Sequence, residues 1–306
     1  MQRMRALAAT TDPDGPARND ARATAANLEE QQRMTCHVVT GGSSGVGAAL
    51  VQRLVARGGS VFNIDRAPPA AADGARWVAC DLGEPDAIAR ACDALPADID
   101  GLANVAGMAR AADPMTVMAV NFLGMRELTR RLTPRLTAGS GIVCVSSIAG
   151  RDWRRRLDTL RPLLATGTMT DGLAWCRAHA GVFERDPYTW SKRAVTAWVL
   201  AEASVHVHTS TRILAVSPGG IDTPLSPQFE ALMGKAQLDW TNAQTGRAAR
   251  PEEIAEVLDT LLCQPCGWLN GVDVPVDRGY TAGLDAGWID FDSSPIMRAR
   301  SARAKD

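Results

Sequence analysis

From Thr35 onward, short runs of consecutive apolar, largely β-branched residues alternate with stretches in which apolar positions return every three or four residues. The runs are "CHVVT" (36–40), "SVFNID" (60–65), "RWVACD" (76–81), "GLANVAG" (101–107), "GIVCVSS" (141–147), "TRILAVSP" (211–218) and "GVDVPVD" (271–277). Most are apolar throughout rather than alternating, the pattern of strands covered on both faces. Between them, "AALVQRLVARG" (48–58), "PDAIARACDAL" (85–95), "TVMAVNFLGMREL" (116–128) and "PEEIAEVLDTLLC" (251–263) carry helical periodicity. Such alternation predicts an α/β domain over residues 35–290, built on a doubly wound parallel sheet of seven strands with helices on both faces.

The two ends fall outside this pattern. Residues 1–34 are rich in Ala, Arg and Asp and hold no apolar run, so they read as a disordered extension rather than a secretory signal. The stretch "FDSSPIMRARSARAKD" (291–306) reads as a flexible tail. Composition excludes some classes of function. The 306 residues are 46% hydrophobic and 22% charged, with a net charge of -1, which leaves no basic footprint for nucleic acid. No run approaches the roughly 20 apolar residues that cross a membrane. Cys36, Cys80 and Cys144, among seven cysteines, lie within strand-like runs, as reduced thiols of a cytoplasmic protein do. Cys263 and Cys266 form a lone CxxC; without a second ligand pair it reads as a helix end turning at Pro265 and Gly267, and no metal site is expected.

Candidate chemistry begins at the first turn, "VVTGGSSGVGAALVQRL". A buried strand enters, an amphipathic helix leaves, and Gly41, Gly45 and Gly47 lie between. Gly41 suits the tight turn, Gly45 close backbone approach to a pyrophosphate, and Gly47 close packing of helix on strand. Phosphates would then meet the free N–H groups and partial positive charge of the helix N-terminus. The turn therefore predicts a Rossmann-type dinucleotide site. Asp65 ends the second strand, where its carboxylate can hold the adenosine ribose hydroxyls and repel a 2′-phosphate, so NAD is expected over NADP. Arg66 beside it pulls the other way, since an arginine accepts a phosphate. Asp81 ends the third strand, near where the adenine edge would lie.

Seven stretches in order, "TGGSSGVG" (40–47), "DL" (81–82), "NVAG" (104–107), "VNFLG" (120–124), "VSSIAG" (145–150), "YTWSK" (188–192) and "SPGGIDTP" (217–224), resemble the motifs of the short-chain dehydrogenase/reductases across residues 35–283. "NVAG" departs from the commoner form with two asparagines. The resemblance implies an NAD(P)-dependent oxidoreductase with an active tetrad of Asn121, Ser147, Tyr188 and Lys192. It further implies cofactor contacts from Gly41, Ser44, Gly45, Val46, Gly47, Asp65, Asp81, Leu82, Asn104, Tyr188, Lys192, Ile221 and Thr223. In this family the asparagine holds a water linked to the lysine, and the lysine also bonds the nicotinamide ribose.

The chemistry of the residues points the same way. Tyr188 and Lys192 are four apart and share a helix face. A free tyrosine, with pKa about 10, is only about 0.1% phenolate at pH 7, and making it a base there takes roughly 4 kcal/mol. An ammonium about 5 Å away supplies around 3 kcal/mol at an effective dielectric of about 20. Ser147 ends its strand at the usual ligand edge of such sheets and can hold a substrate oxygen. Asn121 lies within a helical stretch, where asparagine is locally unfavourable.

Between Ser147 and Tyr188 lies an unusually long segment, about 151–187, read as two helices at about 152–164 and 171–180, the second capped by Thr170 or Asp171. Emerging between two candidate catalytic residues, it is expected beside the substrate mouth, with Trp153, Leu173 and Trp175 walling an apolar pocket. The stretch 225–240 is expected as a mobile helix over the substrate. "LANVAG", "AGRDWRRR", "DGLAW" and "IDTPLSP" resemble the branch of the family that holds hydroxysteroid dehydrogenase/carbonyl reductases and coniferyl alcohol dehydrogenases, closer to the latter. That implies a small apolar or aromatic alcohol or carbonyl substrate, with an aromatic allylic alcohol oxidised to its aldehyde first and a steroid second. A non-catalytic nucleotide-sensing or scaffold protein on the same fold is the reading from another class. In much of the family a helix starting at the tyrosine builds a four-helix subunit contact; the insertion would obstruct it, so a homodimer is expected.

Overall fold

The computed structural model describes residues 34–303; the predicted N-terminal extension, up to residue 33, lies outside them. The strands are β1 (Cys36–Thr40), β2 (Ser60–Asp65), β3 (Arg76–Ala79), β4 (Ile99–Asn104), β5 (Leu136–Val145), β6 (Arg212–Pro218) and β7 (Asp273–Val276). They form one sheet in the order β3-β2-β1-β4-β5-β6-β7, and every pairing is parallel. The predicted fold class is the observed one.

Helix α1 (Gly45–Ala56) joins β1 to β2, and α2 (Pro85–Asp93) joins β3 to β4. Between β4 and β5 run α3 (Pro114–Met118), a π-helical segment (Ala119–Gly124) and α4 (Met125–Leu132). The long β5–β6 connection holds α5 (Leu157–Leu164), α6 (Met169–Ala178), α7 (Ala180–Phe183) and α8 (Pro187–His206). Between β6 and β7 lie α9 (Ser226–Met233), α10 (Lys235–Thr245) and α11 (Pro251–Cys263); α12 (Tyr280–Ala286) and α13 (Pro295–Arg303) close the chain.

Successive strand residues point to opposite faces. In β1, Val39 joins Ala103, Val143 and Leu214 beneath α1 and α11, which contribute Leu50, Leu54, Ile254 and Leu258. Val38 joins Leu102, Ile142 and Ile213 on the other face, under Leu123, Leu128, Val195 and Trp198. Burying each such side chain contributes about 1.5–3 kcal/mol, which is why strands apolar at every position settle in the middle of three layers. The strand order reverses at β1 and β4, opening a crevice beyond their C-terminal ends.

Several expected boundaries shift. The stretch read as one helix over 116–128 is interrupted by the π-helical turn, where Gly124 lies so close to Leu82 O that a Cβ would collide with it. The stretch 225–240 is two helices, not one, broken at Gly234 with φ +82°. In the insertion, Trp153–Arg156 forms a 3-10 turn before α5. The cap of α6 is Thr168, two or three residues earlier than expected: its Oγ1 accepts from Asp171 N at 3.1 Å while Asp171 Oδ2 accepts from Thr168 N at 3.3 Å. The stretch expected as a flexible tail carries a 3-10 turn (Phe291–Ser293) and helix α13, with Ser294 fully buried. Helix α11 does end at Cys263, and Cys263 and Cys266 are both free thiols.

Candidate active site

The crevice at the strand ends is a cleft of about 1650 Å³. Asp186 starts α8 by accepting from Thr189 N at 3.1 Å, and Pro187 takes the first helical position, where its missing N–H is harmless. Tyr188 and Lys192 then follow one turn apart on one face, with Lys192 Nζ 5.8 Å from the Tyr188 ring centre. Ser147 leaves β5 in extended conformation as the cap of a 3-10 turn, its Oγ accepting from Ala149 N at 3.2 Å. Neighbouring Ser146 fastens this strand end to α8: its Oγ donates to Lys192 O at 3.0 Å and pairs with Thr196 Oγ1 at 2.7 Å. Gly150 completes the seam, since a Cβ there would stand 2.7 Å from the Lys192 carbonyl carbon.

Asn121 sits in the π-helical turn and is 2% exposed. Its Oδ1 accepts from Met108 N at 2.9 Å, and its Nδ2 donates to Met108 O at 2.9 Å and Ser191 Oγ at 3.0 Å. The side chain thus ties the loop after β4 to α8. Gly107 keeps the space between Asn121 and Lys192 open, because a Cβ there would lie 3.3 Å from Asn121 Oδ1 and 3.7 Å from Lys192 Nζ.

Burial governs the titration of the pair. Desolvation pushes the Tyr188 phenol up to about 12, against the lowering effect of the adjacent Ser147 hydroxyl. Desolvation pulls the Lys192 ammonium down to about 8, and Nζ donates to Val145 O at 2.8 Å. Lys192 is expected to supply most of the lowering of Tyr188 and a positive nicotinamide ring the rest; in the protein alone burial dominates, and the enclosed phenol is a weaker acid than free tyrosine.

The first turn fits a dinucleotide. Gly41 and Gly45 adopt φ of +71° and +53°, and a Cβ on Gly47 would collide with Gly41 O. Ser44 makes no side-chain cap, so the leading N–H groups of α1 face the cleft beside Ser44, Gly45, Val46 and Gly47. Across the cleft, Thr223 Cγ2 lies 3.5 Å from where a Gly45 Cβ would be, and Ile221 lines the same space. Asp65 and Arg66 both line it; Asp65 Oδ2 accepts from Ser43 N at 3.1 Å and Oδ1 from Ala67 N at 3.3 Å. Asp81 and Leu82 line it too, with Asp81 Oδ1 held by Gly83 N at 2.8 Å.

Five expected site residues do not line the cleft: Asn121, whose side chain is taken up by Met108 and Ser191, and four more. The Asn104 side chain points into the core, donating to Thr129 Oγ1 at 2.9 Å and Cys144 Sγ at 3.4 Å, and Asn104 does not line the cleft. Trp153 is 7% exposed in the core, with the Arg154 guanidinium 4.4 Å above its ring. Leu173 and Trp175 pack against the same core, Trp175 stacking on His179 and meeting Phe183 edge-on. The insertion thus lies on α8 and the π-helical turn rather than over the substrate mouth, because its apolar residues are better satisfied against Phe122, Leu123 and Trp190. Only its start reaches the cleft, through Arg151, Asp152 and Arg155. The other wall comes from Phe229, within the stretch 225–240 expected over the substrate, and from C-terminal residues that the sequence reading missed. Phe229 on α9 meets the Tyr188 ring edge-on at 5.1 Å, and Phe291, Ile296 and Arg300 of the C-terminal segment line the cleft. An apolar "WIDF…PIM" pattern was the available signal, masked by the arginines that follow it.

A doubly wound sheet with a glycine turn at its switch point, and a Ser–Tyr–Lys group at its strand ends, defines a nicotinamide-dependent oxidoreductase. The chain matches the family model for short chain dehydrogenase over residues 35–156 and that for Enoyl-(Acyl carrier protein) reductase over residues 157–281. It belongs to the short-chain dehydrogenase/reductase family and is an oxidoreductase acting on alcohol or carbonyl groups. It is 35% identical over 249 residues to a coniferyl-alcohol dehydrogenase of Pseudomonas sp. (strain HR199 / DSM 7063), covering 80% of this chain and 96% of that one. It is 27% identical over 260 residues to a 3-alpha-hydroxysteroid dehydrogenase/carbonyl reductase of Comamonas testosteroni, covering 81% and 97%. The crystal structure of a 3-alpha-hydroxysteroid dehydrogenase from Pseudomonas sp. B-0831 complexed with NADH superimposes with TM-score 0.69 at 27% identity, covering 84% of this chain and all of that one.

Proposed function

We propose that the protein is an NAD-dependent dehydrogenase that oxidises an aromatic allylic alcohol of the coniferyl type to its aldehyde. The observation that carries the reading is the gathering of Ser147, Tyr188 and Lys192 on one cleft with the glycine turn. The 35% identity to a coniferyl-alcohol dehydrogenase supports the substrate class. Asp65 at the tip of β2 supports NAD, since a carboxylate there binds ribose hydroxyls and repels a 2′-phosphate.

The nicotinamide supplies the hydride acceptor. Ser147 holds the alcohol oxygen, and Tyr188 takes the hydroxyl proton as hydride leaves carbon. Lys192 would hold the cofactor ribose, and its ammonium together with the positive nicotinamide ring would oppose the burial that raises the phenol. Asn121 fixes the loop that borders Lys192. A steroid alcohol is the second reading, supported by the likeness to two hydroxysteroid dehydrogenases. Packing of the insertion on α8, through Phe183 on Trp190 and Arg193 on Asp152, supports a homodimer, because that surface is not free for a four-helix contact. The free cysteines support a reducing, cytoplasmic setting.

Tyr188→Phe tests the enzyme reading against a nucleotide sensor. NAD titration should still show binding while turnover, followed as NADH absorbance, falls about a thousandfold. Turnover surviving that change would sink the mechanism. A panel of cinnamyl-type alcohols and hydroxysteroids assigns the substrate class, and light scattering should give the mass of two chains.

A further inference from the structure

The C-terminal segment is built into the cleft. Asp290 caps the 3-10 turn Phe291–Ser293, Ser294 is fully buried and Ile289 is 4% exposed, which anchors both sides of the turn. Two contacts join the segment to α10. Ile296 N donates to Gln237 Oε1 at 3.0 Å, and Gln237 is itself 4% exposed. The Phe291 ring meets Trp240 edge-on at 6.0 Å. Beyond this joint, Ile296 and Arg300 lie four apart on α13, so they share a face, and both line the cleft that holds Tyr188. Phe291 and Ile296 are 37% and 38% exposed: apolar side chains with room in front of them. Arg300 has no carboxylate partner among the described residues. An apolar wall ending in an unpaired guanidinium complements a flat ring whose remote end carries oxygen.

We propose that Phe291, Ile296 and Arg300 are specificity-determining residues for the alcohol. Phe291 and Ile296 flank the ring of the substrate, and Arg300 donates a hydrogen bond to an oxygen substituent on the ring, remote from the reacting carbinol. The proposal rests on the aromatic-alcohol reading above. It also gives Gln237 a positioning role, because its bond from Ile296 N sets where α13 stands against α10.

The test compares allyl alcohol, cinnamyl alcohol and coniferyl alcohol as substrates of the full chain with NAD. Arg300→Ala should lower kcat/KM for coniferyl alcohol by about tenfold, the worth of one hydrogen bond from a charged donor, and leave cinnamyl alcohol unchanged. Ile296→Asp should weaken both ring alcohols and leave allyl alcohol unchanged. Both positions are exposed, so both variants should fold, and their Kd for NAD should equal that of the parent. Equal loss on all three alcohols, or no loss on coniferyl alcohol in Arg300→Ala, overturns the proposal while leaving the aromatic reading intact. If the parent protein turns over neither ring alcohol, the aromatic reading itself fails and the proposal falls with it.

Discussion

Lys192 is held where its charge is costly. It is 4% exposed, its ammonium has one carbonyl partner, and burial lowers it to about 8. A lysine whose folded pKa lies below its unfolded value of about 10.5 destabilises the fold at pH below about 8, and the penalty fades as pH rises from 8 to 10.5. Lys192→Met should therefore abolish turnover yet stabilise the cofactor-free protein at pH 7 by about 1–2 kcal/mol, after the lost hydrogen bond to Val145 is counted. Urea unfolding at pH 7 and pH 9.5 checks this: the gain over the parent should shrink at the higher pH. Tyr188 has the opposite sign. Its phenol is raised to about 12 by burial, so its contribution is whole below the free tyrosine value of about 10 and is lost as pH climbs from about 10 to about 12. At the other end of the cleft, Asp65→Ala should raise the NADP-to-NAD ratio of kcat/KM by about tenfold or more, with Arg66 left to meet the 2′-phosphate. Steady-state kinetics with each cofactor measures it. The spacing of Tyr188 and Lys192 was legible because one helical turn is a local rule. The side-chain direction of Asn104 was not, because it depends on which face of β4 its neighbours occupy.

At the scale of elements, the insertion works as a buttress. Arg126 on α4 is buried with no carboxylate in salt-bridge contact among the described residues, and is lowered to about 10 by desolvation and by Arg130 nearby. It donates to Leu163 O at 3.3 Å, Thr166 Oγ1 at 2.9 Å and Thr168 O at 3.2 Å, gripping the turn between α5 and α6. The C-terminal carbonyls of α5 are suited to that cation. Gly172 lets α6 close on the π-helical turn, since a Cβ there would lie 2.5 Å from a Leu123 methyl. Arg126→Ala should cost about 2–4 kcal/mol through the cavity and the orphaned carbonyls. Hydrogen exchange should then rise first across residues 157–183. The helical periodicity of the insertion was readable in the sequence, but its direction was not: Trp153 and Trp175 looked equally able to face a substrate or a core. Packing decided it, because the turn carrying Asn121 offered an apolar surface with no other cover.

At the scale of the whole molecule, one cleft is assembled from segments far apart in sequence: the turn at Gly41–Gly47, the end of β5, the start of α8, helices α9 and α10, and the segment at Phe291–Arg300. The sequence by itself determined the sheet, the glycine turn and the spacing of Tyr188 and Lys192. Each is a local or periodic property: strands buried on both faces must be apolar at every position, glycines must stand where φ is positive, and a base and its cation must share a helical turn. Only the tertiary structure decided what surrounds the substrate. The insertion turned inward and the C-terminal segment turned towards the cleft, because amphipathic pieces take whichever apolar surface remains unburied, and no local pattern records which surface that is.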